Sequence, residues 1–462
     1  MTAAGVPAYR SPGGPGTDGT GRKDGQRLNR CIPAGAAGAV VLGLALGFGA
    51  GTASAASTAG ALDSAFGNHG IVLTNLGVDA NGNQIQGNPG AVTLQSNGDI
   101  VVAVGFGGPD SGLVRFLPNG TRDTTFGNGG FAALPDVGIP STRPGLAVQA
   151  DDKLVWAGEA TADNGTNAAF GVVRFNANGT LDQGFGKGGL ATATFAGSNV
   201  QGAQTVVVQP DGKILAGGAV LFGGRPPRDV GGLVRFNGNG TIDTGFGSGG
   251  QELVPNSNPV LVSVIGVTAL GLDANGDIFT LPSHLEFSPA GQPDAALTPA
   301  SITTASHSVT NTFLPSGGFV VGTVVSVGRG GERDVQVTRF NPDGSIASTA
   351  TGIDYAGQNG ALAVRDTPAA VAIQASGQAV IGGSHVESSQ FSSTSVFGLA
   401  RVNADGTLDP AFGTGGVLTT RITGNDSVIL LVIQPDGKIL AIGTSQDAAG
   451  VTDLALARYL SQ

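Results

Sequence analysis

Arginine and aspartate recur eight positions apart in this 462-residue chain, as Arg115/Asp123, Arg174/Asp182, Arg235/Asp243 and Arg401/Asp409. A guanidinium and a carboxylate at fixed spacing can converge on a ligand. They can also pair with each other and pin a strand to the turn that follows it. Several near-equivalent copies make a poor asymmetric active site, so the spacing predicts structural staples. Arg458 has no residue eight positions on, and its expected partner is Asp63, in ALDSAFGNHG.

Other chemistry is sparse. His69, His284, His307 and His385 are isolated from one another and lack zinc-site spacing. The chain has no H-E-x-x-H, no G-x-S-x-G and no P-loop. Asp405-Gly-Thr-Leu-Asp409 has the look of a calcium loop but lacks the alternating ligands, and reads as a turn. No cofactor is predicted, and a divalent metal such as calcium has no supporting motif. Beyond residue 55 there are one Trp (Trp156) and two Tyr (Tyr355 and Tyr459), too few for a lectin based on aromatic stacking.

The elements that must position these residues come from an internal repeat. One unit reads VVVQPDGKILAGGAVLFGGRPPRDVGGLVRFNGNGTIDTGFGSGG, residues 206–250. Its opening recurs at Gln95, Gln149, Gln374 and Gln434, with degenerate copies at Asp273 and Leu314. Each opening is a β-rich run, an Asp-Gly or Asn-Gly turn and a second β-rich run. A two-residue hairpin turn with positive φ is expected there. A third strand carries the Arg, a second turn follows, and Asp-x-x-Phe-Gly leads into a short fourth strand.

The Arg slots fall at 115, 174, 235, 339, 401 and 458, with Glu286 in the fourth unit, at an average of about 58 residues per unit. The fourth unit keeps Asp294, and the fifth keeps Arg339 but has Ala347 eight positions on. The predicted fold is all-β: a seven-bladed β-propeller of four-stranded blades, in which the N-terminal strand joins the C-terminal blade. Such closure would remove exposed sheet edges. The Phe of each Phe-Gly (Phe66, Phe126, Phe185, Phe246, Phe412) is expected to pack between blades, with the next Gly supplying a turn.

Segments such as QPDGKILAGG, VRFNGNGTIDTGFGSGG and ARVNADGTLDPAFGTGG resemble the delta-60 repeat of secreted and surface bacterial proteins. The resemblance covers nearly all of residues 62–460, with the fourth and fifth units departing from it. It implies an extracellular propeller-like protein and no reaction, since the family carries no catalytic motif.

Residues 1–55 read as a signal peptide: a long polar n-region with Arg22, Lys23, Arg27 and Arg30, an Ala/Gly/Leu/Val run, and Ala53-Ser54-Ala55. Residues 56–462 are then one propeller domain, secreted and extracellular. The only cysteine, Cys31, sits in the leader, so the remainder has no thiol chemistry and no disulfide. That remainder carries 18 basic against 31 acidic residues, a net charge of about −13. Nucleic acid and, after cleavage, membrane are therefore not expected partners. An extracellular protein, glycan or cell-wall component is, with the chain a monomer.

In an up-and-down blade, the repeated turns share one face, while the loops between strands two and three share the other with the inter-blade links. Those loops vary, and variable loops on a rigid scaffold carry binding. Candidate ligand-facing residues are Arg225, Arg228 and Asp229 (third blade), Arg329, Glu332, Arg333 and Asp334 (fifth), and His385 and Glu387 (sixth). The leading expectation is a non-catalytic binding or scaffold protein. The alternative is an extracellular hydrolase or lyase with a metal or acidic site at the propeller channel.

Overall fold

The computed structural model describes residues 58–77, 87–105, 111–135, 144–161, 168–223, 228–255, 266–273, 275–283, 285–293, 309–327, 332–357, 365–388 and 393–462. All belong to one compact unit, Ala55–Gln462. The expected leader with Cys31, and His284, Asp294, His307, Arg225 and Arg329, lie outside the described residues. The described residues hold strands and turns without a helix, so none has a helix long and apolar enough to cross a membrane.

Strand β1 (Ile71–Thr74) comes first. A sheet in chain order follows: β2 (Pro89–Leu94), β3 (Ile100–Val104), β4 (Gly112–Phe116) and β5 (Phe131–Ala133). The second holds β6 (Gly145–Val148), β7 (Leu154–Thr161), β8 (Ala168–Phe175) and β9 (Leu190–Ala193). The third holds β10 (Ser198–Val208), β11 (Ile214–Phe222), β12 (Arg228–Phe236) and β13 (Gln251–Val254). The fourth has three described strands, β14 (Ala269–Leu272), β15 (Ile278–Leu281) and β16 (Leu285–Phe287).

The fifth set is β17 (Val309–Phe313), β18 (Phe319–Val327), β19 (Glu332–Phe340) and β20 (Ile346–Ile353). The sixth is β21 (Arg365–Ile373), β22 (Ala379–Ser388), β23 (Ser393–Val402) and β24 (Val417–Thr420). One parallel pair, Arg333 with Arg365, joins these two into an eight-stranded sheet. The last sheet is β25 (Asn425–Ile433), β26 (Ile439–Gln446) and β27 (Thr452–Tyr459). Its fourth strand is β1, antiparallel to β27 from Ile71/Ala457 to Thr74/Leu454.

Each sheet opens with a hairpin, but not the two-residue turn expected from sequence. In the third, Gln209 N–H bonds to Lys213 O at 2.8 Å and Gly212 N–H to Gln209 O at 2.8 Å. Only Gly212 has positive φ, at 82°. This is a three-residue loop with a left-handed Gly. Asp211 bonds the Lys213 N–H instead of adopting positive φ itself.

Second and third strands are apolar runs buried on both faces, as in β3 (IVVAV) and β8 (AAFGVVRF). That pattern follows from their central place in a sheet flanked by two others. The first strands adjoin one another in order: β2 to β6, β6 to β10, β10 to β14, β14 to β17, β17 to β21, β21 to β25, and β25 to β2. Apolar clusters lie between consecutive sheets. A further cluster joins Leu440 and Leu456 of the last sheet to Ile100 and Val102 of the first.

Candidate functional site

The Arg–Asp residues come together in five places. Arg115 Nη2 lies 2.7 Å from Asp123 Oδ2, and Arg174, Arg235, Arg401 and Arg458 place Nε 2.9, 2.8, 2.8 and 2.9 Å from Asp182, Asp243, Asp409 and Asp63. Each guanidinium also stacks on the Phe of its own Phe-Gly, with Arg458 4.5 Å from the Phe66 ring centre. All five Phe rings are fully buried in the clusters between sheets.

A third contact had no signal in the sequence. The guanidinium donates to a backbone carbonyl in the next sheet's second turn: Arg115 to Ala177 O at 2.8 Å, Arg174 to Gly238 O at 2.5 Å, and Arg235 to Pro289 O. Arg401 reaches Ser461 O at 2.7 Å, and Arg458 reaches Pro118 O at 2.5 Å. The Gly after each Phe, at φ 50–60°, donates its N–H into a neighbouring turn, as Gly67 does to Asn119 O at 2.8 Å. Each arginine therefore binds strand, turn and neighbouring sheet at once. Asp405, in the calcium-loop look-alike, accepts the Thr407 N–H at 2.9 Å, as a turn residue does.

At the opposite end of the sheets, the sequence-predicted loop residues separate. The described part of Arg228 and of Glu332 is their place in β12 and β19. Asp229 is half-buried, with Oδ1 unbonded among the described residues. Arg333 is exposed and Asp334 half-buried. Glu387 pairs with Arg421, both about half exposed.

His385 is buried and takes part in the one group of three metal-ligand types found among the described residues. Its Nδ1 lies 2.8 Å from Asp366 Oδ1 and 3.9 Å from Asp354 Oδ1. Asp366, with no exposed surface, sits at the start of β21 and pairs across the ladder with His385 on β22. Its second oxygen accepts the Tyr355 N–H at 2.9 Å. Asp354 follows β20 and accepts the Ala356 N–H at 2.9 Å.

Burial raises the Asp366 carboxyl above the usual carboxylate range, although His385 and the Tyr355 N–H pull it down. Burial works against a charged imidazole at His385, but the bond from Asp366 and the charges of Asp366, Asp354 and Glu387 raise it overall. Both shifts keep a proton on the pair. Chemically, the group can share a proton, tie a link to a sheet, or surround a cation with one nitrogen and two oxygens.

Asp354 and Asp366 were not among the sequence candidates, although a signal existed. Asp366 lies eight residues before the opening Gln374, as Gln201 does before Gln209 and Asp426 before Gln434. Gln201 accepts the Phe195 N–H at 2.6 Å, and Asp426 the Ile422 N–H at 2.8 Å. Ser445 occupies the place of His385 in the last sheet and donates to Asp426 at 2.5 Å. One position thus fastens the incoming link to three sheets.

A family model described as "Domain of unknown function (DUF5122) beta-propeller" matches residues 95–126, 149–185, 209–246, 374–412 and 434–462. These are the first, second, third, sixth and seventh units. The chain is a β-propeller repeat protein. The fourth and fifth units, which depart most in wording, lie outside the match. A search of curated proteins finds no significant match.

Among solved structures, the propeller is similar to a protein of unknown function from Dyadobacter fermentans DSM 18053, at 12% identity and TM-score 0.40, over 85% of this chain and 100% of that one. Polysaccharide lyase Uly1 gives 11% and 0.41, over 82% and 91%. A gluconolactonase from Xanthomonas campestris gives 15% and 0.34, over 81% and 87%. Likeness at this level carries no argument about activity.

Proposed function

We propose that this chain is a secreted, non-catalytic binding or scaffold propeller of seven blades, closed into a ring where β1 completes the blade of β25–β27. The ring is supported by the succession of first strands, which returns from β25 to β2, and by the apolar cluster shared by the last and first blades. The functional reading rests on how the repeated polar residues are used. The Arg, Asp and Phe side chains whose spacing suggested chemistry are bonded to one another and to the next blade.

Recognition then falls to the variable end, on Arg225, Arg329 and the strand residues Arg228, Asp229, Glu332, Arg333, Asp334 and Glu387 near them. The partner is an extracellular protein, glycan or cell-wall component held by polar and charged contacts. Trp156, Tyr355 and Tyr459 are buried and offer no stacking platform. The leader and the resemblance to delta-60 repeats support export, and the acidic exterior disfavours nucleic acid.

One observation favours the second reading, an extracellular hydrolase or lyase with a metal or acidic site: the convergence of Asp354, Asp366 and His385. A single experiment separates the two. Purified protein is incubated with cell-wall fractions and soluble glycans, and both retention and released products are measured. Retention without product, lost when Arg333→Glu and Glu387→Arg are combined, is expected. Product release, or retention indifferent to the loop charges, overturns the binding reading.

A further inference from the structure

We propose that Asp354, Asp366 and His385 form a binding site for a divalent transition-metal ion at the junction of the fifth and sixth blades. The donors come from three elements: the link after β20, the start of β21 and the end of β22. Their ligand atoms all lie within 4.8 Å of one another. The 2.8 and 3.9 Å separations from His385 Nδ1 suit an ion about 2.0–2.2 Å from each atom. With the imidazole neutral, the set carries two negative charges, which a divalent ion balances. One nitrogen with two oxygens suits zinc, cobalt, nickel or manganese better than calcium.

The seventh blade is an internal reference for what the junction itself needs. There Asp426 is satisfied by Ser445 and by the Ile422 N–H, without a histidine, and Arg421 stands in the place of Asp354. In the third blade a neutral Gln201 fastens the link. The fold therefore requires neither an imidazole nor a second carboxylate at this place, and the sixth blade has both. Asp366 and Asp354 are already oriented by the backbone N–H groups of Tyr355 and Ala356. Tyr355, which anchors Asp366 through its backbone, has a fully buried hydroxyl without a hydrogen-bond partner among the described residues. An entering ion takes the place of the proton shared by Asp366 and His385, and that proton leaves to solvent.

The test uses the full chain, freed of metal with a chelator and titrated with zinc, cobalt, manganese and calcium salts. Heat of binding, cobalt visible absorption and melting temperature are followed. One transition ion per chain is expected, with a melting temperature that rises with ion concentration. Asp354→Asn, which keeps the turn bond to Ala356, is expected to weaken binding at least about tenfold. His385→Ser, which copies the seventh blade, is expected to abolish the cobalt bands. No stoichiometric binding of any transition ion overturns the site, and so does binding indifferent to either substitution. If His385→Ser does not fold, Asp354→Asn decides alone.

Discussion

Arg458 and Asp63 are separated by 395 positions in sequence and by 2.9 Å in the structure. Nothing else about the pair is unusual: Arg235 makes the same bond to Asp243 from eight residues away. The last sheet is thus held by the same residue types as the others, from two distant stretches of chain. Arg458 also donates to Pro118 O, after β4, so one side chain ties β27, the segment before β1 and the sheet of β2–β5.

Both members of this pair are nearly buried, and losing one leaves the other charge without its partner. Arg458→Ala is expected to destabilise the protein by about 3–5 kcal/mol, and Arg235→Ala by a similar amount. Lysine should not rescue either, since it cannot reach carboxylate and carbonyl together while stacking on phenylalanine. Denaturant midpoints with unchanged slopes provide the check. An unchanged midpoint for Arg235→Ala would remove the structural role of the arginines.

The exposed pair Arg421–Glu387 is the contrast. It lies in water at the variable end and should contribute at most about 1 kcal/mol. Arg421→Ala is expected to leave the midpoint nearly unchanged, and any small effect should shrink further in high salt.

Acid sensitivity follows from the staples. Burial alone would raise the carboxyl of Asp243, but the Gly245 N–H and the charges of Arg235 and Lys213 outweigh it and hold the group below its ordinary value. Asp63, Asp182 and Asp409 are lowered in the same sense. A carboxyl depressed in the folded state adds stability that is complete above its unfolded value of about 3.9 and is lost as the pH falls through the folded one. Stability should therefore decline below about pH 4, with a shallower decline in Asp243→Asn. Melting temperatures from pH 2 to 7 would reveal it.

Three equivalent glycines allow strand two to pass a bulge in strand one. A Cβ at Gly218, Gly383 or Gly443 would lie 1.9, 1.9 and 1.8 Å from the carbonyl oxygens of Gly202, Thr367 and Ser427. The register shifts opposite them mark the bulges. Gly383→Ala is expected to cost about 1–3 kcal/mol, read as a lowered melting temperature.

Much of the fold was legible because its signals are local and periodic. The turn glycines, the eight-residue Arg–Asp offset and the buried Phe of Phe-Gly all lie within one unit. What was not legible is what crosses between units. The carbonyl accepted by Arg174 belongs to Gly238, 64 positions on, and a carbonyl leaves no mark on residue type. Asp366 carries little signal for a different reason: its counterparts are Gln201 and Asp426, so the units share the position but not the residue type. The turns differ from the two-residue form because Asp211 accepts the Lys213 N–H and leaves the positive φ to Gly212.

The most direct test of ring closure uses Asn75 and Asp453, whose exposed side chains meet at 3.0 Å just past the β1–β27 ladder. Cysteines at both positions, with Cys31→Ser, would be oxidised in the folded protein. A closed ring predicts one intramolecular disulfide, formed without denaturant, and a higher melting temperature that falls again on reduction. Folded protein that keeps both thiols free, or links only between molecules, would contradict closure of the last blade by β1.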